Sequence, residues 1–334
     1  MKGLFITDRN NLEVLELPEP KLGPYEALVQ VEACGICNST DWKLIEGEFV
    51  SGSFPVLLGH ESVGRVIRKG RNVRNFREGD RVLRSTLRDE HVPFRGGRSC
   101  WGGFVEKAIV TDVWAEKNLA YNAFPHPQQV VPPDIPPDQA TLLITLKETL
   151  SCLENTGVQT GQSLAITGSG PVAQALTCFA RLAGISPLVV FGRQPDRGPL
   201  FTRLGADAYN VGDSYSPEVQ DILRRGGFDR VIEAVGSRAA LTRSLKLAGK
   251  KGKVNLYGIA PESEPYLPVE SHDPRVFRSK VAEAEVHDRL LGWIAEGKIR
   301  LADWISRSLP WTDYRQGFEM VRNKSANKVV LLFT

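Results

Sequence analysis

The stretch Leu164-Ala-Ile-Thr-Gly-Ser-Gly-Pro-Val-Ala-Gln174 constrains the fold of this chain more than any other. Leu164 to Thr167 reads as a buried strand, Gly168-Ser169-Gly170 as a turn, and Pro171 as the start of an apolar-periodic helix through Val172, Leu176, Phe179 and Leu182, stopped by Gly184. The spacing Gly168, Gly170, Ala173 is a dinucleotide-binding pattern: Gly168 permits the tight turn, Gly170 lets backbone approach a pyrophosphate, and Ala173 lets helix and strand pack closely. A proline at the first helical position costs nothing, because its missing N–H is unpaired there in any case. The free N–H groups at that end favour a bound anion.

Downstream, the alternation repeats. Leu188-Val-Val-Phe191 is a second buried strand. Pro217–Arg225 and Ala239–Ala248 read as helices, and Asp229–Gly236 and Lys253–Gly258 as strands. Strands alternating with helices predict a doubly wound parallel sheet with ligands at the carboxyl ends of its strands. In folds of this kind that prefer NAD, an acid closes the second strand and holds the ribose hydroxyls. Here Gly192 stands at that point, Arg193 follows, and the nearest acid, Asp196, lies farther along. A carboxylate would repel the extra phosphate of NADP by about 4 kcal/mol at ~4 Å and an effective dielectric near 20. Arginine instead meets phosphate with a bidentate fork. Gly192 and Arg193 therefore predict NADP.

The 334 residues suggest about two domains, and 42 Lys+Arg against 39 Asp+Glu leave no basic excess pointing to nucleic acid. No run approaches the ~18 apolar residues of a membrane span, and the start, Met1-Lys-Gly-Leu-Phe-Ile6, reads as a first strand rather than a leader. Five cysteines argue against a disulfide framework and for a reducing, cytoplasmic setting.

Residues 1 to 135 read as a mostly β domain, almost without helical periodicity, with Ala27–Ala33 its clearest half-buried strand. Two clusters here carry chemistry, Cys34-Gly-Ile-Cys-Asn-Ser-Thr-Asp41 and Gly59-His-Glu61. A zinc ribbon would need a second cysteine pair, and there is none. A thioredoxin-like pair would sit beside a βαβ unit, which this one does not. Two inert cysteines, or one cysteine joining His60 on a metal, remain.

The order of these features resembles the zinc-dependent medium-chain dehydrogenase/reductase superfamily, which includes alcohol, polyol and sugar dehydrogenases. Gly-Ile-Cys37, Gly-His-Glu61, Gly-Asp-Arg-Val82 and Gly-Gly-Phe-Val-Glu106 precede the dinucleotide fold, and the likeness runs over essentially the whole chain. It implies a GroES-like catalytic domain of residues 1–138 and 276–334 around an inserted Rossmann domain, 139–275. The prolines of Pro125-His-Pro127 and Pro132–Pro137 mark the connection. The resemblance makes Cys37 and His60 ligands of one catalytic zinc, with Glu61 or Glu148 supplying the acid. It places the proton-relaying hydroxyl at Ser39, with Thr40 as the alternative, because Asp41 lies one residue farther from the cysteine than the family pattern has it. Val235 and Ile259 would line the nicotinamide pocket.

Many members carry four closely spaced cysteines around a structural zinc. Residues 84–101 hold only Cys100, so no second zinc is expected. Arg84, Arg88, Arg95 and Arg98 in that segment read as a solvated loop and His287 as a surface or structural residue, while Lys328-Val-Val-Leu331 matches the family's terminal pattern, with an edge-strand lysine as the alternative. The function implied is hydride transfer between NADP(H) and a secondary alcohol or ketone. Asn38, Trp42 and Trp101 tilt the substrate towards a polyol, sugar or cyclitol. A zinc-free quinone or enoyl reductase, or an NADPH-binding protein without turnover, is the alternative. The family commonly forms homodimers or homotetramers.

Overall fold

The computed structural model describes residues 1–37, 39–50, 53–123, 126–266 and 272–333; Asn38 and Pro125, singled out above, lie outside the described residues. The chain divides into two compact units, Met1–Lys147 with Glu283–Thr334, and Glu148–Ala282. No helix among the described residues is long and apolar enough to cross a membrane.

The first unit is built on the strand Glu26–Gly35, whose side chains are buried at almost every position. It pairs antiparallel with Glu61–Lys69, with Lys107–Thr111 and with Val329–Leu332. The sheet order is Arg307–Pro310, Val329–Leu332, Glu26–Gly35, Glu61–Lys69, Arg81–Leu83, Val130–Val131. A smaller sheet of Asn11–Glu16, Lys2–Asp8, Val56–Leu57 and Arg98–Ser99 shares a core of Phe5, Ile6, Leu44, Val56, Phe104 and Leu331. Two short helices, Thr40–Ile45 and Val113–Glu116, sit within this mostly β segment. At six and four residues they are too short for a periodic signal, and packing rather than propensity holds them: Leu44 and Ile45 of the first are buried in the shared core.

Arg84 departs from the solvated-loop reading of the arginine segment. Arg84 is 7% exposed, with its Nε 2.8 Å from Glu283. Arg88, by contrast, has an exposed side chain paired to Glu26. His287 is buried, Nε2 lying 3.2 Å from the carbonyl of Val130. Burial, and then the charge of Lys147, push its pKa down to about 3. A histidine that titrates near 6.5 when unfolded and near 3 when folded leaves stability level above pH ~6.5. Stability is then lost as pH falls through that window, by about 2 kcal/mol at pH 5. His287→Gln keeps a hydrogen-bonding group at Val130 and removes the titration. In urea unfolding, its loss of stability between pH 7 and pH 5 should be smaller than the wild type's by about that amount. An unchanged difference would show that His287 takes no part in the acid response.

The second unit is a six-stranded parallel sheet in the order Ala208–Val211, Leu188–Gly192, Leu164–Thr167, Arg230–Glu233, Lys253–Leu256, Val276–Phe277. Numbered along the chain this is 3-2-1-4-5-6, the doubly wound arrangement whose ligand crevice opens where the order reverses. The reversal lies between Leu164–Thr167 and Arg230–Glu233. The helix Pro171–Leu182 follows the glycine turn, Gly170 at its N-cap and Pro171 at its first position, with Ala173, Leu176 and Phe179 buried. It ends where Gly184 takes a φ of +73°.

Candidate functional site

In the first unit, Gly35 ends the central strand in register with Glu61. Ile36 then donates its N–H to Val329 at 2.9 Å, and Cys37 donates its own to Asp41 Oδ2 at 2.9 Å. The helix Thr40–Ile45 turns the chain back so that Asp41, wholly buried, closes this loop. On the facing side Gly59, at φ +107°, packs against Phe104 too closely for any side chain, and so delivers His60 and Glu61 to the start of their strand.

The sulfur of Cys37, a ring nitrogen of His60 and a carboxylate oxygen of Glu61 lie within 4.8 Å of one another. It is the one such group of three or more among the described residues. His60 is 8% exposed, and its Nδ1 stands 3.3 Å from Asp41 Oδ1; both atoms are buried and neither makes a hydrogen bond. Its Nε2 faces Glu61 Oε1 at 3.9 Å. Thr145 donates to Glu61 Oε1 at 2.8 Å, and Lys328 pairs with Oε2. Arg84 donates to the backbone carbonyl of His60 at 3.2 Å.

The electrostatics favour a cation. Burial disfavours a charged His60, yet Asp41 and Cys37 outweigh it and hold the imidazole pKa well above its ordinary value. Burial would raise Glu61, but Lys328, His60 and Thr145 keep it below the usual carboxylate range. Cys34 sits behind the cluster, wholly buried, its thiol pushed up by burial and by Asp41 and Glu61. The metal-ligating thiolate is thus disfavoured at Cys34, which leaves Cys37 facing the other donors. Thiolate, imidazole and carboxylate, with a carboxylate behind the imidazole, form a donor set suited to zinc.

Among the other expected residues, Ser39 is exposed at the N-cap of the short helix and Thr40, half-buried, is its first residue. Glu148 lies on the helix Pro137–Thr156 and opens the second unit. Trp101 is 45% exposed, with its ring 5.1 Å from that of His60. Trp42 packs instead against Phe318.

In the second unit, the cofactor candidates collect at the carboxyl ends of the strands. Gly168 has a φ of +126°, and a side chain there would meet the Ala234 carbonyl at 3.2 Å and Val235 at 3.4 Å. The space before Gly170 is open, at a helix N-terminus formed by Gly170, Pro171 and Val172. Val235 and Ile259 are half exposed where the next two strands end. Glu233 accepts from the N–H groups of Val235 and Gly236 and from Tyr266, which fixes this edge. Gly192 closes its strand, and Arg193 beyond it is exposed. An open anion-binding end, a close glycine turn and two exposed apolar residues suit a dinucleotide.

Residues 23–118 match the alcohol dehydrogenase GroES-like domain, and residues 171–289 match the zinc-binding dehydrogenase domain. The chain belongs to the zinc-binding medium-chain dehydrogenases, oxidoreductases of the alcohol dehydrogenase type. The L-threonine 3-dehydrogenase of Bacillus velezensis is 26% identical over 95% of this chain and 94% of its own length. The D-arabinitol dehydrogenase 1 of Uromyces fabae is 22% identical over 99% and 97%. A protein of Sinorhizobium meliloti 1021 described as a zinc-binding dehydrogenase, and solved bound to NADP, superimposes with a TM-score of 0.76 at 27% identity over 99% and 98% of the two chains.

Sequence reasoning gives Asp41 and Thr145 no role at the site, and reads Arg84 and Lys328 without their buried partners Glu283 and Glu61. Asp41 carried a signal, an acid displaced by one position. Because its carboxylate backs His60, Asp41→Asn should lower zinc affinity by about 10–100-fold. Competition against a chromophoric chelator measures this, and unchanged affinity would remove Asp41 from the site.

Proposed function

We propose that this chain is an NADP-dependent zinc alcohol dehydrogenase acting on a secondary alcohol or ketone of the polyol, sugar or cyclitol class. The convergence of Cys37, His60 and Glu61, backed by Asp41, is the observation that carries the reading. Cys37, His60 and Glu61 would hold one zinc, with Glu148 the alternative to Glu61 as acid ligand, and no structural zinc is proposed. Bound there, zinc supplies Lewis-acid polarisation of the substrate oxygen, which eases hydride exchange with the nicotinamide.

The chain's own residues do the rest. Asp41 fixes the tautomer and orientation of His60, so that Nε2 faces the donor cluster. Lys328 and Thr145 hold Glu61 ionised. Ser39, or Thr40 beside it, passes the hydroxyl proton towards solvent. The helix start at Gly170, Pro171 and Val172 receives the pyrophosphate after the turn at Gly168. Val235 and Ile259 offer apolar surface to the nicotinamide ring.

The NADP preference rests on Gly192, where a ribose-binding carboxylate would stand, and on Arg193 for the 2′-phosphate; the NADP-bound relative supports it. The indole of Trp101 beside His60 suits the C–H face of a hydroxylated ring. The free cysteines among the described residues fit a reducing cytoplasm, and a homodimer or homotetramer is the assembly we propose.

Elemental analysis of protein purified without chelators, with a screen of polyols and sugars against NADP and NAD, tests the reading. One zinc per chain with NADP-linked oxidation supports it. Absence of zinc, with reduction of quinones or activated alkenes, would replace it, and NADPH binding without turnover of any alcohol would leave a binding protein.

A further inference from the structure

Gly192 does not have a positive φ, so its backbone conformation is open to any residue. What excludes a side chain is Tyr209. The strand Ala208–Val211 runs parallel to Leu188–Gly192 with Tyr209 opposite Val190, so the tyrosine shares a sheet face with residue 192 and leans towards it. A Cβ at position 192 would fall on the Tyr209 hydroxyl and lie 2.6 Å from its Cζ and 3.0 Å from its Cε2.

Nor is the tyrosine free to yield. Its ring stacks on buried Phe201 at 5.3 Å and 15°. Its hydroxyl donates to the carbonyl of Gln194 at 2.9 Å. That hydrogen bond ties down the segment that carries Arg193, immediately after the strand end.

We propose that Tyr209 is a residue that sets cofactor specificity: it fills the place of the ribose-binding carboxylate and fixes the Arg193–Gln194 segment for a phosphate on the adenosine ribose. The proposal rests on the NADP reading above. It makes the absence of an acid at position 192 a packing requirement as well as an electrostatic one. An aspartate there cannot take up the ribose hydroxyls until the tyrosine is gone.

The test compares wild type, Gly192→Asp, Tyr209→Ala and the double variant, by fluorescence titration with NADPH and with NADH. Gly192→Asp alone should weaken NADPH tenfold or more and bind NADH no better than wild type. In the Tyr209→Ala background the same aspartate should tighten NADH tenfold or more. Should Tyr209→Ala fail to fold, Tyr209→Leu keeps apolar contact with Phe201 without the reach to position 192 and carries the same comparison. A Gly192→Asp single variant that gains NADH affinity as fully as the double variant would overturn the role of Tyr209. Equal affinity of the wild type for the two cofactors would overturn the NADP reading instead, and the coupling between positions 192 and 209 would still be readable with NADH.

Discussion

Cys37→Ser is expected to lose zinc and, with it, about 10³-fold or more of kcat/KM for alcohol oxidation, while cofactor affinity stays near the wild-type value. The size follows from the several kcal/mol of charge stabilisation that a Lewis acid contributes, at ~1.4 kcal/mol per factor of ten. A serine hydroxyl does not replace a thiolate, because it remains protonated at neutral pH and is a poor zinc donor. Cys34 cannot substitute, since its thiol is wholly buried and burial with neighbouring carboxylates opposes its ionisation. Metal content and kcat/KM should fall together, with titration of the nicotinamide cofactor as the control. Retained zinc with lost activity would move Cys37 out of the ligand set and into a different role.

Lys328→Met is expected to destabilise the protein by about 3–5 kcal/mol, the cost of leaving a buried carboxylate without its counter-charge. Both side chains of the pair are under a tenth exposed, 8% for Lys328 and 3% for Glu61. The directions of their shifts agree: Glu61 is held low, and Lys328 is raised by Glu61 and Cys37 against its own burial. For a unit of this size the melting temperature should drop by roughly 10 °C. Adding Glu61→Gln removes the stranded charge and should recover part of the loss, so the double variant melts above Lys328→Met. Equal melting of the two would show that no charge is left stranded on Glu61 once its lysine is gone.

Lys328 also shows where sequence reasoning reaches its limit. A lysine opening Val329-Val-Leu-Leu332 fits an edge strand, whereas the strand is flanked on both sides and the lysine points inward to Glu61. Its partner is 267 positions away, and no local pattern reports such a contact. The nucleotide-binding unit was legible because its signals are local: a glycine turn, a proline at the first helical position, and apolar runs at regular intervals. Local pattern brought Cys37 and His60 forward only as candidates, with inert cysteines left open, and it was the resemblance that gave them and Glu61 a metal role. Arg84 could not be read, because an arginine in a polar loop looks alike whether it faces water or, as here, Glu283.

The separation between Glu61 and Lys328 also bears on when the proposed zinc would be taken up. The pair forms only after Val329–Leu332 has docked on Glu26–Gly35, a step that closes a very long loop and belongs to the slow, non-local part of folding. In small zinc modules, the ion gathers a disordered chain around itself. Under the zinc reading proposed above, the cradle is complete only once Lys328 has joined Glu61, and zinc uptake in a refolding time course is expected to lag until the first unit is finished; uptake ahead of that docking would show that Cys37, His60 and Glu61 suffice without it.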